Sequence, residues 1–344
     1  MVEQESQGRV GVPMSTRRGF VGGLATGVAA QVAAGPLLTG IARAQPSAAC
    51  TPTPRPVRTS SLAVAPDGRT VWTADAAGTT ITSHRTRDLQ RGRSIDVGGA
   101  PLDLVITPDG RIALVLTAAY DRPGVAIVDL RSGQTDHVDV GPEPYAITLS
   151  PDGRRAYVSG GGQHGTLTRI DHVTGKVHEP IELGAYVRGM ALYANGTRAL
   201  VAVGGESAVA VVDVKHARVL RRIATPQFPA RLAVAPDGRR ALVTHNGFGA
   251  RQVTPLDLSA GRARTPVTTG EDPAGVAFSR GGTVVMVANS GAGTVSVLRT
   301  STWRHRRRVN VKGSPRHVAV VGRRGIAGDG ASGRLTTIRL TGGR

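Results

Sequence analysis

The stretch Pro144–Ser159, PYAITLSPDGRRAYVS, holds an apolar run, a Pro-Asp-Gly turn and a second apolar run, and it decides the fold. Proline fixes φ ahead of the turn and glycine accepts a positive φ, so two strands must double back at Pro151-Asp152-Gly153. The turn recurs as Ala65-Pro66-Asp67-Gly68, Thr107-Pro108-Asp109-Gly110 and Ala235-Pro236-Asp237-Gly238. Worn copies stand at Tyr193-Ala194-Asn195-Gly196, Ser279-Arg280-Gly281-Gly282 and Val321-Gly322-Arg323-Arg324. Aligned on the aspartate, the copies fall at positions 67, 109, 152, 195, 237, 281 and 323, a period of 42 to 44 residues.

Each copy reads as four short strands. After the second comes a glycine-rich loop, then a third strand ending in aspartate, as at Asp129, Asp171, Asp213 and Asp257. Four-strand units at this period are propeller blades, so the expected fold is an all-β, seven-bladed β-propeller of four-stranded antiparallel blades over 60–344. The recurrent aspartates lie around a ring and cannot converge, so their expected work is to close turns by Asx-type hydrogen bonds. The seventh copy offers only three strands. Its fourth is expected from the segment before Ser61, within 45–59, where Thr51-Pro52-Thr53-Pro54-Arg55-Pro56 suits only an edge strand.

Composition bounds the partners. The formal charge is +19, from 43 basic and 24 acidic residues, and only Lys176, Lys215 and Lys312 are lysines. Two readings stay open: an electrostatic footprint for an anionic small molecule or acidic cell-envelope polymer, or a bias towards arginine in the composition. The arginines are spread through every repeat rather than striped, which argues against nucleic acid. Only Arg304-His305-Arg306-Arg307-Arg308 forms a run. Aromatics are 3% of the chain, so the core must rest on Val, Leu, Ile and Ala. A single cysteine, Cys50, leaves no internal disulfide.

The N-terminal segment, 1–44, is an address. Thr16-Arg17-Arg18-Gly19-Phe20-Val21 resembles the twin-arginine export motif, with Val21 and Gly22 replacing the usual Leu and Lys. A glycine-diluted apolar stretch follows, and Ala42-Arg43-Ala44 offers a cleavage site before Gln45. The mature protein is therefore expected outside the cytoplasm, periplasmic or extracellular. Ser47-Ala48-Ala49-Cys50 is a poor lipobox because Ser47 stands where leucine belongs.

The repeats resemble the YVTN family of β-propellers through Ala156-Tyr157-Val158-Ser159, Leu242-Val243-Thr244-His245-Asn246, Met286-Val287-Ala288-Asn289 and Thr294-Val295-Ser296-Val297. The resemblance spans Ser60 to about Leu340. It implies an extracytoplasmic binding or surface protein, or a relative of lactone-hydrolysing propellers.

Any site must lie where the copies disagree, on the face carrying the loops into each first strand and out of each second strand. The position before the first-strand apolar residue reads Ser61, Asp103, Ala146, Gly189, Arg231, Gly275 and His317 around the ring. The preceding one reads Ser60, Leu102, Tyr145, Arg188, Ala230, Ala274 and Arg316. After the second strands come Asp75, Tyr120-Asp121, Gln163-His164, Glu206, His245-Asn246 and Asn289. The candidate ligand-binding set is Asp103, Arg188, Arg231, His245, Asn289, Arg316 and His317, a basic mouth for an anion. The alternative is a hydrolase or lyase of a lactone or sugar-derived substrate. It would take His317 or His245 as base with Asp103 or Asp75, or hold a metal on Asp75, Asp103, Glu206 and Asn289. No cofactor motif accompanies either reading, and no nucleophile-elbow or zinc-helix signature occurs.

Overall fold

The computed structural model describes residues 59–75, 77–118, 123–247 and 249–340. It is an all-β propeller of seven antiparallel sheets in chain order, numbered here as blades 1 to 7. The innermost strands are Thr59–Val64, Ala100–Ile106, Pro144–Leu149, Val187–Tyr193, Pro229–Val234, Pro273–Phe278 and Pro315–Val321. Each pairs with the second strand, which pairs with the third, and so outward. In blade 3 the outermost strand is broken into Lys176–Val177 and Ile181–Gly184, and in blade 5 into Arg262–Ala263 and Val267–Thr268. Apart from these strands, regular structure among the described residues is one 3₁₀ turn, Gly204–Glu206.

Second and third strands are apolar on both faces because each sheet is covered by two neighbours. Six apolar clusters fill the spaces between consecutive blades, from blades 1 and 2 to blades 6 and 7. Their largest wholly buried side chains are Leu, Ile and Met, as expected from so few aromatics. Blade 7 shows three strands among the described residues, ending at Leu335–Arg339. Of the segment expected to supply its fourth strand, 45–58 lie outside the described residues, as do Arg17, Arg18 and Cys50, and Thr59 opens the innermost strand of blade 1. At the closing junction the innermost strands of blades 7 and 1 lie side by side, and Arg324 Nη1 donates to the carbonyl of Arg87 at 3.3 Å.

The repeated aspartates close turns. Asp129 Oδ1 accepts from the amides of Arg131 and Ser132 at 2.9 and 2.8 Å, and Asp171, Asp213 and Asp257 do the equivalent. The amide of Ser132 does most to hold the Asp129 carboxyl down to about 2. The Pro-Asp-Gly aspartates Asp67, Asp109, Asp152 and Asp237 accept amides two residues on. Arginine does part of the joining between blades. Arg93 on the outermost strand of blade 1 donates to the carbonyls of Leu130, Arg131 and Ser132 in blade 2. Arg221 reaches Leu258 of blade 5 in the same manner.

Candidate functional site

All seven innermost strands slip register at one level. The shifts fall between Thr59 and Ser61, Pro101 and Asp103, Val187 and Met190, Pro229 and Leu232, Pro273 and Val276, Pro315 and His317, and in blade 3 opposite Tyr145. A bulge places an extra residue on one strand and re-aims its side chain. The extra residues are Ser60, Leu102, Tyr145 and Arg316 in blades 1, 2, 3 and 7, and at the slips of all seven blades Ser61, Asp103, Ala146, Gly189, Arg231, Gly275 and His317 line one central channel with a void of about 160 Å³.

The ring is tightly keyed. Ser61 Oγ donates to Asp103 Oδ1 at 2.5 Å, the amide of Leu104 donates to the same oxygen, and the amide of Ile147 donates to Oδ2 at 3.2 Å. Across the channel, Arg231 Nη1 stands 3.9 Å from Asp103 Oδ2. Glycine at two ring positions reflects close strand approach. A Cβ on Gly189 would lie 2.7 Å from the carbonyl oxygen of Ala230, and one on Gly275 would lie 2.6 Å from that of Arg316.

Above the channel the cavity widens to about 670 Å³, lined by Tyr145, Arg231, Asn246, Asp272, Ser290, Arg316 and His317 among others. It opens on the face of the lead-in and second-strand loops. Arg188 and Arg231 both sit over the Tyr145 ring, at 5.1 and 5.3 Å from its centre, within cation–π range. The stem of Arg316 lies across Gly330, where any Cβ would collide with it. Neither Arg188 nor Arg316 makes an ion pair among the described residues. Asp272 is the acid in this wider space. His317 is buried, and that burial, followed by the charges of Arg231 and Arg316, holds its pKa well below the usual histidine value. It is neutral at pH 7.

Asp103, Arg231, Arg316 and His317 thus meet at the channel and its mouth, with Arg188 beside them. His245 and Asn289 do not join them. Both close the second strand of their blade and point into the sheet, where neighbouring blades exclude water. His245 Nδ1 donates to the carbonyl of Gln227 at 3.0 Å, and Nε2 accepts from Thr254 at 2.7 Å; burial lowers its pKa. Asn289 is wholly buried and donates through Nδ2 to Thr294 and Ser296. Glu206 pairs with Arg222 at 2.7 Å, and Asp75 accepts from the amide of Ala77. The four residues considered as metal ligands therefore stand in four separate settings. Among the described residues no cluster of three or more His, Cys, Asp or Glu side chains is placed to hold a metal. Tyr120 and Asp121 lie outside the described residues. Sequence reasoning passed over Tyr145 as the hub of two guanidiniums, although its place in the aligned copies was visible.

No family model matches the chain, and neither does any curated protein sequence. Among solved structures it is similar to Kuenenia stuttgartiensis hydrazine synthase, with a TM-score of 0.74 and 22% identity over 83% of this chain and 96% of that one. It is also similar to the Cps50 (Swd1) β-propeller domain of Myceliophteria thermophila, with a TM-score of 0.66 and 16% identity over 83% and 97% of the two chains. Likeness at these identities establishes the seven-bladed β-propeller and nothing about chemistry.

Proposed function

We propose that this chain is a YVTN-type propeller exported by the twin-arginine route, and that it binds a small anion at the mouth of its channel. One observation carries the binding reading. Arg231 and Arg316 line a single cavity of about 670 Å³ in which the histidine is neutral, and a third guanidinium, Arg188, shares Tyr145 with Arg231. Guanidinium groups without full acidic partners in a partly water-excluding cavity favour carboxylate or phosphate. Asp272 and Asp103 temper the charge, which suits a small ligand of low charge better than a polyanion. No helix among the described residues is long and apolar enough to cross a membrane. Calorimetric titration of the purified chain with phosphate and with citrate tests the reading. Binding is expected to be lost in Arg231→Gln and Arg316→Gln, and binding indifferent to both substitutions would sink it.

A hydrolytic reading draws on His317, a neutral base facing the same cavity. Asp103 is engaged with Ser61 and two amides, so it would not orient that imidazole. Turnover of a lactone panel that disappears in His317→Gln would favour this second reading over the first.

A further inference from the structure

We propose that the ligand of the mouth carries a ring with an apolar face beside its charged group, and that Tyr186 and Phe228 hold that ring. The inference rests on the anion reading and names the other half of the molecule. Next to the mouth cavity, and sharing Ala230 and Asn246 with it, lies a crevice of about 150 Å³ walled by Tyr186, Phe228 and Arg188. A void of about this size is enough for one benzene ring.

The two aromatic side chains are out of character for the protein. Aromatics make up 3% of the chain, and Trp72, Tyr157 and Tyr193 are buried, yet Tyr186 and Phe228 are 45% and 51% exposed. Both occupy the last residue before an innermost strand with φ of 56° and 53°, a region that bulky side chains seldom adopt. The same place in blades 3 and 6 holds Glu143 and Asp272. An exposed aromatic that bears a backbone cost in two adjacent blades is placed there for contact with something.

The Tyr186 ring and the backbone beneath both rings are also fixed in advance. Gln163 Nε2 donates to the Tyr186 hydroxyl at 2.9 Å. The amides of Gly204 and Asn246 donate to the carbonyls of Tyr186 and Phe228 at 3.0 and 2.9 Å. His245 holds the carbonyl of Gln227, one residue before Phe228. A preset Tyr186 ring and preset backbones lose little freedom on binding, so contact made there converts efficiently into affinity. Arg188, lining the crevice and stacked on Tyr145, joins the ring-binding part to the charge-binding part. An aryl carboxylate and a pyranose carboxylate share the required chemistry.

Ligand-observed NMR titrations of the full chain with 4-hydroxybenzoate, glucuronate and acetate test the proposal. A ring-bearing acid is expected to bind about tenfold more tightly than acetate, the gain from covering one ring face. Whichever of the two rings shows the gain identifies the source. Tyr186→Asn with Phe228→Asn removes both rings using a residue that accepts positive φ, so the fold is kept, and the advantage over acetate should vanish. Equal binding of all three acids, or an advantage that persists in the double variant, overturns the proposal. Arg231→Gln with Arg316→Gln should weaken all three acids alike. If it weakens none, the anion reading fails, while the ring preference is still scored separately by the first two comparisons.

Discussion

The carboxylate of Asp103 faces the guanidinium of Arg231 at 3.9 Å, although blades 2 and 5 are not neighbours in the ring. The contact spans the channel, so its two halves are placed by different sheets and held apart by the scaffold. Asp103 is fixed by Ser61 and the amide of Ile147, whereas Arg231 has the Tyr145 ring as its other support.

Replacing Asp103 by Asn should separate charge from shape. The amide oxygen can still accept from Ser61 while its nitrogen no longer accepts from Ile147, so the loss of stability is expected at about 1–3 kcal/mol by chemical denaturation. Arg231 then lacks its acid, and anion affinity at the mouth should rise about two- to fivefold in low salt, with the gain shrinking in 0.5 M salt. Unchanged affinity would show that Arg231 does not face the ligand.

His317 makes a pH prediction whose sign is fixed by its burial. Its folded pKa lies below the unfolded value, so below about pH 6.5 the unfolded chain takes up a proton that the folded chain refuses. Stability is therefore complete at neutral pH and declines on acidification, by at most about 1.4 kcal/mol per pH unit from this group. His84, His178 and His245 are shifted in the same direction and add to the slope. Denaturation midpoints between pH 7 and 5 should fall less steeply in His317→Gln than in the parent chain.

Gly275→Ala should cost about 2 kcal/mol or more, because the added methyl meets the backbone of Arg316 rather than a side chain that can turn aside. Ala146→Gly, at the equivalent place in blade 3, should cost about 1 kcal/mol or less. Thermal melts of the two variants measure how tightly the innermost strands are packed around the ring.

Asn289→Ala should destabilise by about 1–3 kcal/mol through the lost bonds to Thr294 and Ser296, and leave anion binding at the mouth unchanged. A variant that stays stable but binds anions poorly would return Asn289 to the site.

Export is tested on the leader. Arg17→Lys with Arg18→Lys should leave the chain uncleaved in the producing cell, while the parent is expected to begin at Gln45 after cleavage behind Ala44. Mass spectrometry of the N-terminus reads both, and unimpaired processing of the variant would overturn the assignment.

The ring of Ser61, Asp103, Arg231 and His317 was legible in the sequence because the repeat makes equivalent residues countable, and equivalent residues share a place around an axis. His245 and Asn289 were misread as mouth residues. A polar residue at the end of a strand covered on both faces is satisfied inside its own sheet, and linear spacing does not report that. Tyr186 and Phe228 escaped notice because they lie in the loops before the aligned strands. Their signal was present all the same: an aromatic where other copies put Glu143 and Asp272.

The seven register slips have a consequence for how such a molecule changes over generations. Each blade sets one residue beside its slip towards a shared centre, so chemistry can be rewritten one blade at a time on unaltered architecture. The freedom is uneven. Gly189 and Gly275 are locked by the backbones beside them, and Ala146 is packed into the apolar core between blades 3 and 4. New specificity would first be acquired at Arg231 and His317, whose side chains stand between the narrow channel and the wider mouth.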